Sequence, residues 1–519
     1  MFLGLTRHWG YLTSINDLGV FDQAVWGTLH GQFLLNTTQL DQPINWLSFH
    51  FHPVLLLFVP LYAMAPWPEW FTLAQALALS IAAWPIFLLA SRVCRSETAG
   101  LLWAIAYLFN PFLLNAAAWD FHPVALAVPF IALALLAVEN ENKRMMLLSC
   151  IPLLFIQEQL GLTVAAFGLL WWLRNRQWKF ALAVVLLGTA HAALVLGVFM
   201  PAFSPTGSHV MLAGDLGQLS RYGWLGKSLG DIAANLLHHP WQIFQQAIFG
   251  WRGWSYLVLL LLPLLGLPLA ATAYLLPALP DLGANLLSAN PMPTSMVAYH
   301  SVTLVPLFTV AAAYGARHVS MGWNWLSVKQ VNGLVLVASL GMGYALSPLP
   351  VPGALNFWEP SRFPVVSDPL PDAIRAALGN VSVSAQGNIG AHLSQRSRIY
   401  AYPKKLDEVG AIVLWLESPT NRLIPTEPGG NFASLASHLQ MHPADYLASI
   451  ECLLSGKEYH VLVWQDPWLV LEREPLASTT DPFVAASIRQ KIQRLRAAWQ
   501  VDAGEYLDAA KRCEKSSPG

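Results

Sequence analysis

The sequence predicts a mainly α, polytopic membrane protein with a C-terminal α/β domain outside the cytoplasm. Three observations predict it. The 519 residues are 55% hydrophobic and 11% charged, with a mean hydropathy of +0.45, whereas a soluble domain carries about 25% charge. Apolar stretches recur from Trp70 to Ser347, several near the roughly 20 residues that cross a bilayer. Beyond Pro348 the apolar runs become short and alternate with helical patterns, as in a small α/β fold. The net charge of −1 gives no field to attract nucleic acid. The 22 tryptophans suit interfacial belts. The partner that composition names is the lipid bilayer.

Taken in order, Met1 to Tyr11 is too short to span. Phe49–Ala65 is apolar but broken by Pro53 and Pro60, and Trp46, Trp67 and Trp70 flank it, so it is expected to lie half-embedded. Spans are expected over Trp70–Ser91, Ala99–Ala117, Pro123–Val138 and Phe180–Met200. Met145–Leu173 is long for one span and carries Gln157-Glu158-Gln159 in its middle; two short passes meeting at Glu158 suit it better. Trp254–Ser288 holds Pro263, Pro268, Pro277 and Pro280 and is expected to cross twice. Tyr299–Gly315 and Val331–Ser347 complete the bundle.

Basic residues orient this chain, because cytoplasmic loops collect Lys and Arg. Arg92/Arg95, Lys143/Arg144, Arg174/Arg176/Lys179 and Arg317/Lys329 are placed in the cytoplasm. A large loop from Pro201 to about Gly250 is then outside. So are Asp17, His50, His52, Asp120, His122, Glu158, Tyr299 and His300. Pro348, Pro350, Pro352 and Gly353 read as a linker, dividing a membrane domain (1–347) from an extracytoplasmic domain (348–519). Strands are expected at Val381–Ser384, Arg398–Tyr402, Ala411–Leu416, Tyr459–Trp464 and Trp468–Leu471. Helices are expected at Asp372–Leu378, Ala444–Leu454 and Pro482–Trp499, with Ile488–Arg512 amphipathic. No Cys-x-x-Cys motif is present, so no zinc or redox motif is read from the cysteines. Cys452 and Cys513 can pair if their region is exported.

The chain is organised around Asn16-Asp17-Leu18-Gly19-Val20-Phe21-Asp22-Gln23-Ala24-Val25-Trp26. Asp22, Trp26 and Leu29 share one helical face, and Asn16 or Asp17 is placed to cap that helix. A cap plus one solvated acid is the plain reading; an active-site loop on the membrane surface is the other. His50-Phe51-His52-Pro53 and Asp120-Phe121-His122-Pro123 each put Phe-His-Pro ahead of a helix. The residue before proline is held extended, and side chains two apart in an extended stretch share a face. So His50 pairs with His52, and Asp120 with His122. An ionisable group such as Glu158 costs about 2.5–3.5 kcal/mol at the bilayer centre on insertion scales, so it needs a reason to be there. Tyr299-His300 can hydrogen-bond a phosphate or a sugar, or Tyr299 can serve the aromatic belt.

Acids and imidazoles on one face allow two chemistries. In glycosyl transfer from a lipid-linked donor, a carboxylate takes the acceptor's proton, and cations, imidazoles or a divalent metal stabilise the departing phosphate. In transport, the same groups relay protons or ions. A non-catalytic membrane scaffold is a third reading.

The run Asp17-Leu18-Gly19-Val20-Phe21-Asp22-Gln23 resembles the hallmark of an uncharacterised prokaryotic membrane-protein family, the domain of unknown function numbered twenty seventy-nine. Similar to that family too are His50 with Pro53, Asp120-Phe121-His122-Pro123, Gln157-Glu158, Leu282–Ser288 with Tyr299-His300, Ala391-His392-Leu393-Ser394-Gln395-Arg396, and Ile399-Tyr400-Ala401-Tyr402-Pro403. The family is grouped with the GT-C glycosyltransferases. The resemblance implies a GT-C-like bundle in the prokaryotic inner membrane and sugar transfer from a polyprenyl-phosphate donor on the outer face. It implies a catalytic acid in the first outer loop, filled here by Asp17 or Asp22. On that basis Asp17 is the expected base and Asp22 a helper or metal ligand. His50, His52, Asp120, His122, Glu158, Tyr299 and His300 are the expected substrate-binding residues. Two departures stand out. The superfamily's first transmembrane helix is expected upstream of Met1. The family's Lys-Glu-Asp run is Gln157-Glu158-Gln159 here, which weakens a catalytic or metal role for that loop.

Overall fold

The structure, a computed structural model, describes residues 1–40, 42–207, 219–322, 327–349, 351, 370–417, 435, 439–473 and 480–516. The chain is mainly helical, with a small sheet near its C-terminus. It packs as two compact units that are discontinuous in sequence. The first comprises Met1–Gly4, Asn45–Phe58 and Glu69–Glu359; the second comprises Leu5–Ile44, Val59–Pro68 and Pro360–Gly519. Most of the linker expected after Pro348, and part of the large loop after Pro201, lie outside the described residues.

In the first unit, two helices are long and apolar enough to cross a membrane: Glu69–Val93 and Trp178–Phe203. Two bent pairs raise the number to four among the described residues if each is one span. One pair, Glu97–Leu108 with Pro111–Ala118, bends by 49°. Its break has a local cause. Asn110 accepts a hydrogen bond from the Phe112 N–H at 3.0 Å, and Pro111 takes the first helical position. That is a complete helix start set inside an apolar run. The other pair, Pro240–Phe249 with Trp251–Leu264, bends by 67° around an extended Gly250. The stretch expected to cross at Pro123–Val138 forms only a shorter apolar helix, Pro123–Glu139. Phe49–Ala65 is likewise short, with apolar helix only over Pro53–Met64. Met145–Leu173 resolves into helices Lys143–Leu153 and Leu160–Asn175, and Glu158 sits in the turn between them. Proline-rich Trp254–Ser288 becomes a series of short α and 3-10 segments.

The core of this unit gathers Ile131, Leu135, Phe167, Leu170, Trp171 and Val310. Helices Leu160–Asn175 and Trp178–Leu194 approach at glycines. A methyl on Gly161 would stand 2.9 Å from the Gly188 carbonyl oxygen, and one on Gly168 2.8 Å from that of Ala181. Small residues at such crossings let apolar helices pack backbone to backbone.

The second unit holds a five-stranded sheet: β1 (Val383–Ala385), β2 (Ile399–Ala401), β3 (Ala411–Trp415), β4 (Tyr459–Gln465) and β5 (Trp468–Arg473). The order is β2-β1-β3-β5-β4. Central β1 runs parallel to both neighbours, with Val383 opposite Ile399 and Ala411. β5 is antiparallel to β3 and β4. β1, β2 and most of β3 are buried on both faces, which is why they read as continuous apolar runs. All five strands form where the sequence expects them. Helices cover Leu370–Leu378, Pro443–Ser455 and Pro482–Ala498. The amphipathic stretch expected over Ile488–Arg512 is two helices, because the chain turns at Trp499 and restarts at Ala503. Cys452 is disulfide-bonded; the Cys513 side chain lies outside the described residues. Cys94 and Cys150 are free thiols.

The N-terminal motif is part of this second unit. Ile15 is fully buried in a core with Ile374, Leu393, Val413 and Val470. Its backbone N–H donates to the Gly387 carbonyl at 2.8 Å. Gly390 makes room for it, since a methyl there would meet the Ile15 side chain at 2.6 Å.

Candidate functional site

Helix Leu18–Leu29 places the two motif acids in different environments. Asp17 stands at the N-cap position, half-buried, with φ −115° and ψ −89°. Its side chain makes no capping hydrogen bond. Asp22, one turn on, is 1% exposed. Its Oδ1 accepts from the Tyr62 hydroxyl at 2.7 Å and the Gln395 amide at 3.0 Å, and its Oδ2 accepts from the Ser394 hydroxyl. Burial pushes the Asp22 carboxyl above its ordinary value, although the Ser394, Gln395 and Tyr62 hydrogen bonds and the Arg375 charge pull it down. Gln395 also donates to the Pro66 carbonyl at 2.7 Å. Asp22 therefore ties its own helix to Val59–Met64 and to the Ser394-Gln395 turn.

Gln23 makes a second tie. Its amide donates to Thr37 Oγ1 at 2.9 Å and to the Arg396 carbonyl at 3.2 Å. The Thr37 hydroxyl in turn donates to the Ile399 carbonyl at 2.6 Å and accepts from the Ile399 N–H at 3.0 Å. A threonine thus pairs with β2 as a neighbouring strand would. Buried Arg396 donates to the Leu393 and Val381 carbonyls. Burial, with the Arg375 charge beside it, lowers its guanidinium to about 10. The resemblance in sequence at Asp22-Gln23 and at Ser394-Gln395-Arg396 is thus one packed contact inside the second unit.

The other expected residues fall in the first unit. His50 and His52 face one another, ring centroids 5.2 Å apart and 11° from parallel. Their expected shared face is realised. His50 Nδ1 lies 2.8 Å from Glu158 Oε1, and the Phe51 N–H donates to Oε2 at 3.0 Å. Trp46 Nε1 donates to His52 Nδ1 at 3.0 Å. Burial by itself would raise the Glu158 carboxyl, but the charges and hydrogen bond of His50, with His52 behind it, lower it to about 2. Burial lowers the His52 imidazole. One ligand atom from each of His50, His52 and Glu158 lies within 4.8 Å of the others.

His122 has the extended conformation that the following proline imposes, φ −135° and ψ 132°. Its Nδ1 donates to the Asp120 carbonyl at 3.1 Å, so this pair meets through backbone. The His122 ring stacks on Tyr299, and Tyr299 on His300. His122 is close enough to His52 for their charges to interact. The first unit thus brings together His50, His52, Glu158, His122, Tyr299 and His300. Asp17 and Asp22 belong to the second unit.

Sequence reasoning missed Trp46 and Tyr62 as polar partners. Both read as interfacial or core aromatics, and nothing local marks their N–H or O–H as aimed at His52 or Asp22. It also missed Asp281, buried in helix Leu279–Leu287 and accepting from the Thr303 hydroxyl at 2.6 Å.

A family of predicted membrane proteins, DUF2079, matches residues 7–418. That interval contains every candidate residue named above. No functionally curated protein matches the chain. With the family's pattern running through both clusters and most of the sequence, the chain belongs to the predicted membrane protein family DUF2079.

Proposed function

We propose that this protein is a GT-C-type glycosyltransferase of the prokaryotic inner membrane, which moves a sugar from a polyprenyl-phosphate donor to an acceptor on the outer face. The observation that carries the reading is the division between the motif's two acids. Asp22 has both oxygens occupied by three donors, which suits holding a loop in shape. Asp17 is half-buried at the N-cap position, so part of it stays within reach of a substrate. In this reading Asp17 takes the proton of the acceptor hydroxyl as that oxygen attacks the sugar's anomeric carbon. The anomeric carbon–oxygen bond breaks, and its electron pair leaves with the polyprenyl phosphate. His50, His52, Asp120, His122, Glu158, Tyr299 and His300 form the substrate-binding set. The disulfide at Cys452 supports an extracytoplasmic distal region, since such bonds persist in oxidising compartments.

The test uses the full chain in lipid nanodiscs with labelled polyprenyl-phosphate sugars. Label should move from the lipid to a water-soluble or lipid acceptor. Label that stays on the donor across the panel, with sugar or ion flux into vesicles instead, overturns the reading in favour of transport. For orientation, a reporter active only in the cytoplasm and fused after Gly519 should be silent.

A further inference from the structure

Two imidazoles and a carboxylate, more than a hundred residues apart in the chain, share one site in the first unit. We propose that His50, His52 and Glu158 bind a divalent transition-metal ion of the zinc class. The inference goes beyond sugar transfer and does not depend on it.

The donors suit such an ion. Imidazole nitrogen favours zinc and its neighbours, whereas magnesium and calcium favour sites built of oxygen. Two histidines and one glutamate are also a known ligand set for zinc sites that keep a fourth position open. The spacing suits it as well. The ligand atoms already lie within 4.8 Å of one another. Ligands about 2.1 Å from a zinc ion stand about 3.4 Å apart in a tetrahedron. Small side-chain rotations close the difference.

Bonds that do not involve the imidazoles hold the two segments together. The Val54 N–H donates to the Phe155 carbonyl at 2.9 Å, and the Phe51 N–H donates to Glu158 Oε2 at 3.0 Å. Pro53 keeps His52 out of helix, so His50 and His52 stay on one side. His52 and Glu158 are 3% and 7% exposed, and a cation offsets the cost of burying the carboxylate. His50 Nδ1 and Glu158 Oε1 share a hydrogen, and the Trp46 N–H donates to His52 Nδ1. An ion bound at His50 Nδ1 displaces that hydrogen, which moves to His50 Nε2 or, if Nε2 already carries one, leaves to water. Whichever nitrogen of His52 takes the ion, the other carries the ring's N–H, so Trp46 gives up its bond to Nδ1.

The departure from the family at Gln157-Glu158-Gln159 does not remove this site. The glutamate is retained, and it is the glutamate that reaches the histidines.

The experiment measures metal bound to the purified full-length protein after dialysis against micromolar Zn²⁺ alone. One ion per chain is expected. Glu158→Gln and His52→Ala should each weaken binding at least tenfold, while His30→Ala, at an exposed position in the second unit, should bind as wild type does. Absence of zinc from the wild-type protein, or equal zinc in the Glu158→Gln and His52→Ala variants, overturns the proposal. If either of those variants aggregates, His50→Gln takes its place. The visible spectrum of the Co²⁺-loaded wild type then gives a readout that needs no variant: strong bands of a four- or five-coordinate ion are expected, and a weak octahedral spectrum overturns the site.

Discussion

The Tyr62 hydroxyl donates to Oδ1 of Asp22 at 2.7 Å, joining two segments forty residues apart in the chain. Both residues are 1% exposed, so water cannot replace the bond if one partner is lost. Tyr62→Phe removes one of three donors to a buried carboxyl and should cost about 1 kcal/mol. Asp22→Ala strands all three donors and opens a void, and should cost about 3 kcal/mol. Thermal unfolding of the detergent-purified protein reads both. Equal melting of wild type and Asp22→Ala would show that Asp22 does not hold the second unit together.

Asp22 also sets a pH dependence. Burial raises its carboxyl, so the folded protein favours the neutral acid more than the unfolded chain does. The stability this contributes is fully present below the ordinary value near 3.8 and is lost as pH rises through the folded value. The local geometry accepts the neutral form. Ser394 Oγ lies 3.0 Å from the Ala391 carbonyl, so the Ser394 hydroxyl can donate there while its oxygen accepts a hydrogen bond from the neutral Asp22 carboxyl. Asp22→Asn, which cannot ionise, should be less stable than wild type in acid. The gap should narrow as pH rises above the ordinary value near 3.8 and through the raised folded value. Melting curves at several pH values check this, and a gap that widens with pH would reverse the sign.

Asp17→Asn separates capping from catalysis. Asparagine caps a helix about as well as aspartate and keeps the side chain's size and polarity at this half-buried position. Stability should therefore change by less than about 0.5 kcal/mol. If Asp17 is the general base, sugar transfer should fall about 10²–10⁴-fold. The product assay is run first on wild type, then on the variant. Undiminished transfer would remove Asp17 from the mechanism.

Gly188→Leu tests the helix crossing in the first unit. Any side chain there meets the Gly161 carbonyl and the Ala165 backbone, and backbone cannot move aside as a flexible side chain can. The substitution should force helices Leu160–Asn175 and Trp178–Leu194 apart and cost about 2–4 kcal/mol. Gly197→Leu on the same apolar segment meets nothing within 4 Å and serves as the control. Comparable yield and melting for the two variants would show the crossing to be loose.

What the sequence settled by itself is what depends on near neighbours. Apolar runs with little charge identified the helical part. Short β-rich runs located all five strands, because buried parallel strands need continuous apolar residues. Phe-His-Pro predicted that His50 and His52 share a face, because proline restricts the residue before it. The break at Glu158 was legible because a charged turn interrupts an apolar stretch. Chain-length reasoning overcounted long helices, since a start signal such as Asn110-Pro111 divides a stretch that hydropathy alone joins.

Only the tertiary structure decided which distant groups meet. Asp22 read as a solvated acid or a catalytic helper, yet it is buried under Tyr62, Ser394 and Gln395. His50, His52 and Glu158 read as members of one substrate-binding set, but only the structure shows Glu158 bonded to His50 and to the Phe51 N–H. The N-terminal motif read as the start of the membrane part, yet it packs with the distal sheet. The physical reason is one of range. Helix, strand and cap preferences act within a few residues, so they are written where they act. A buried carboxyl takes whatever donors the packing of remote segments delivers, and that choice is made only when those segments close around it.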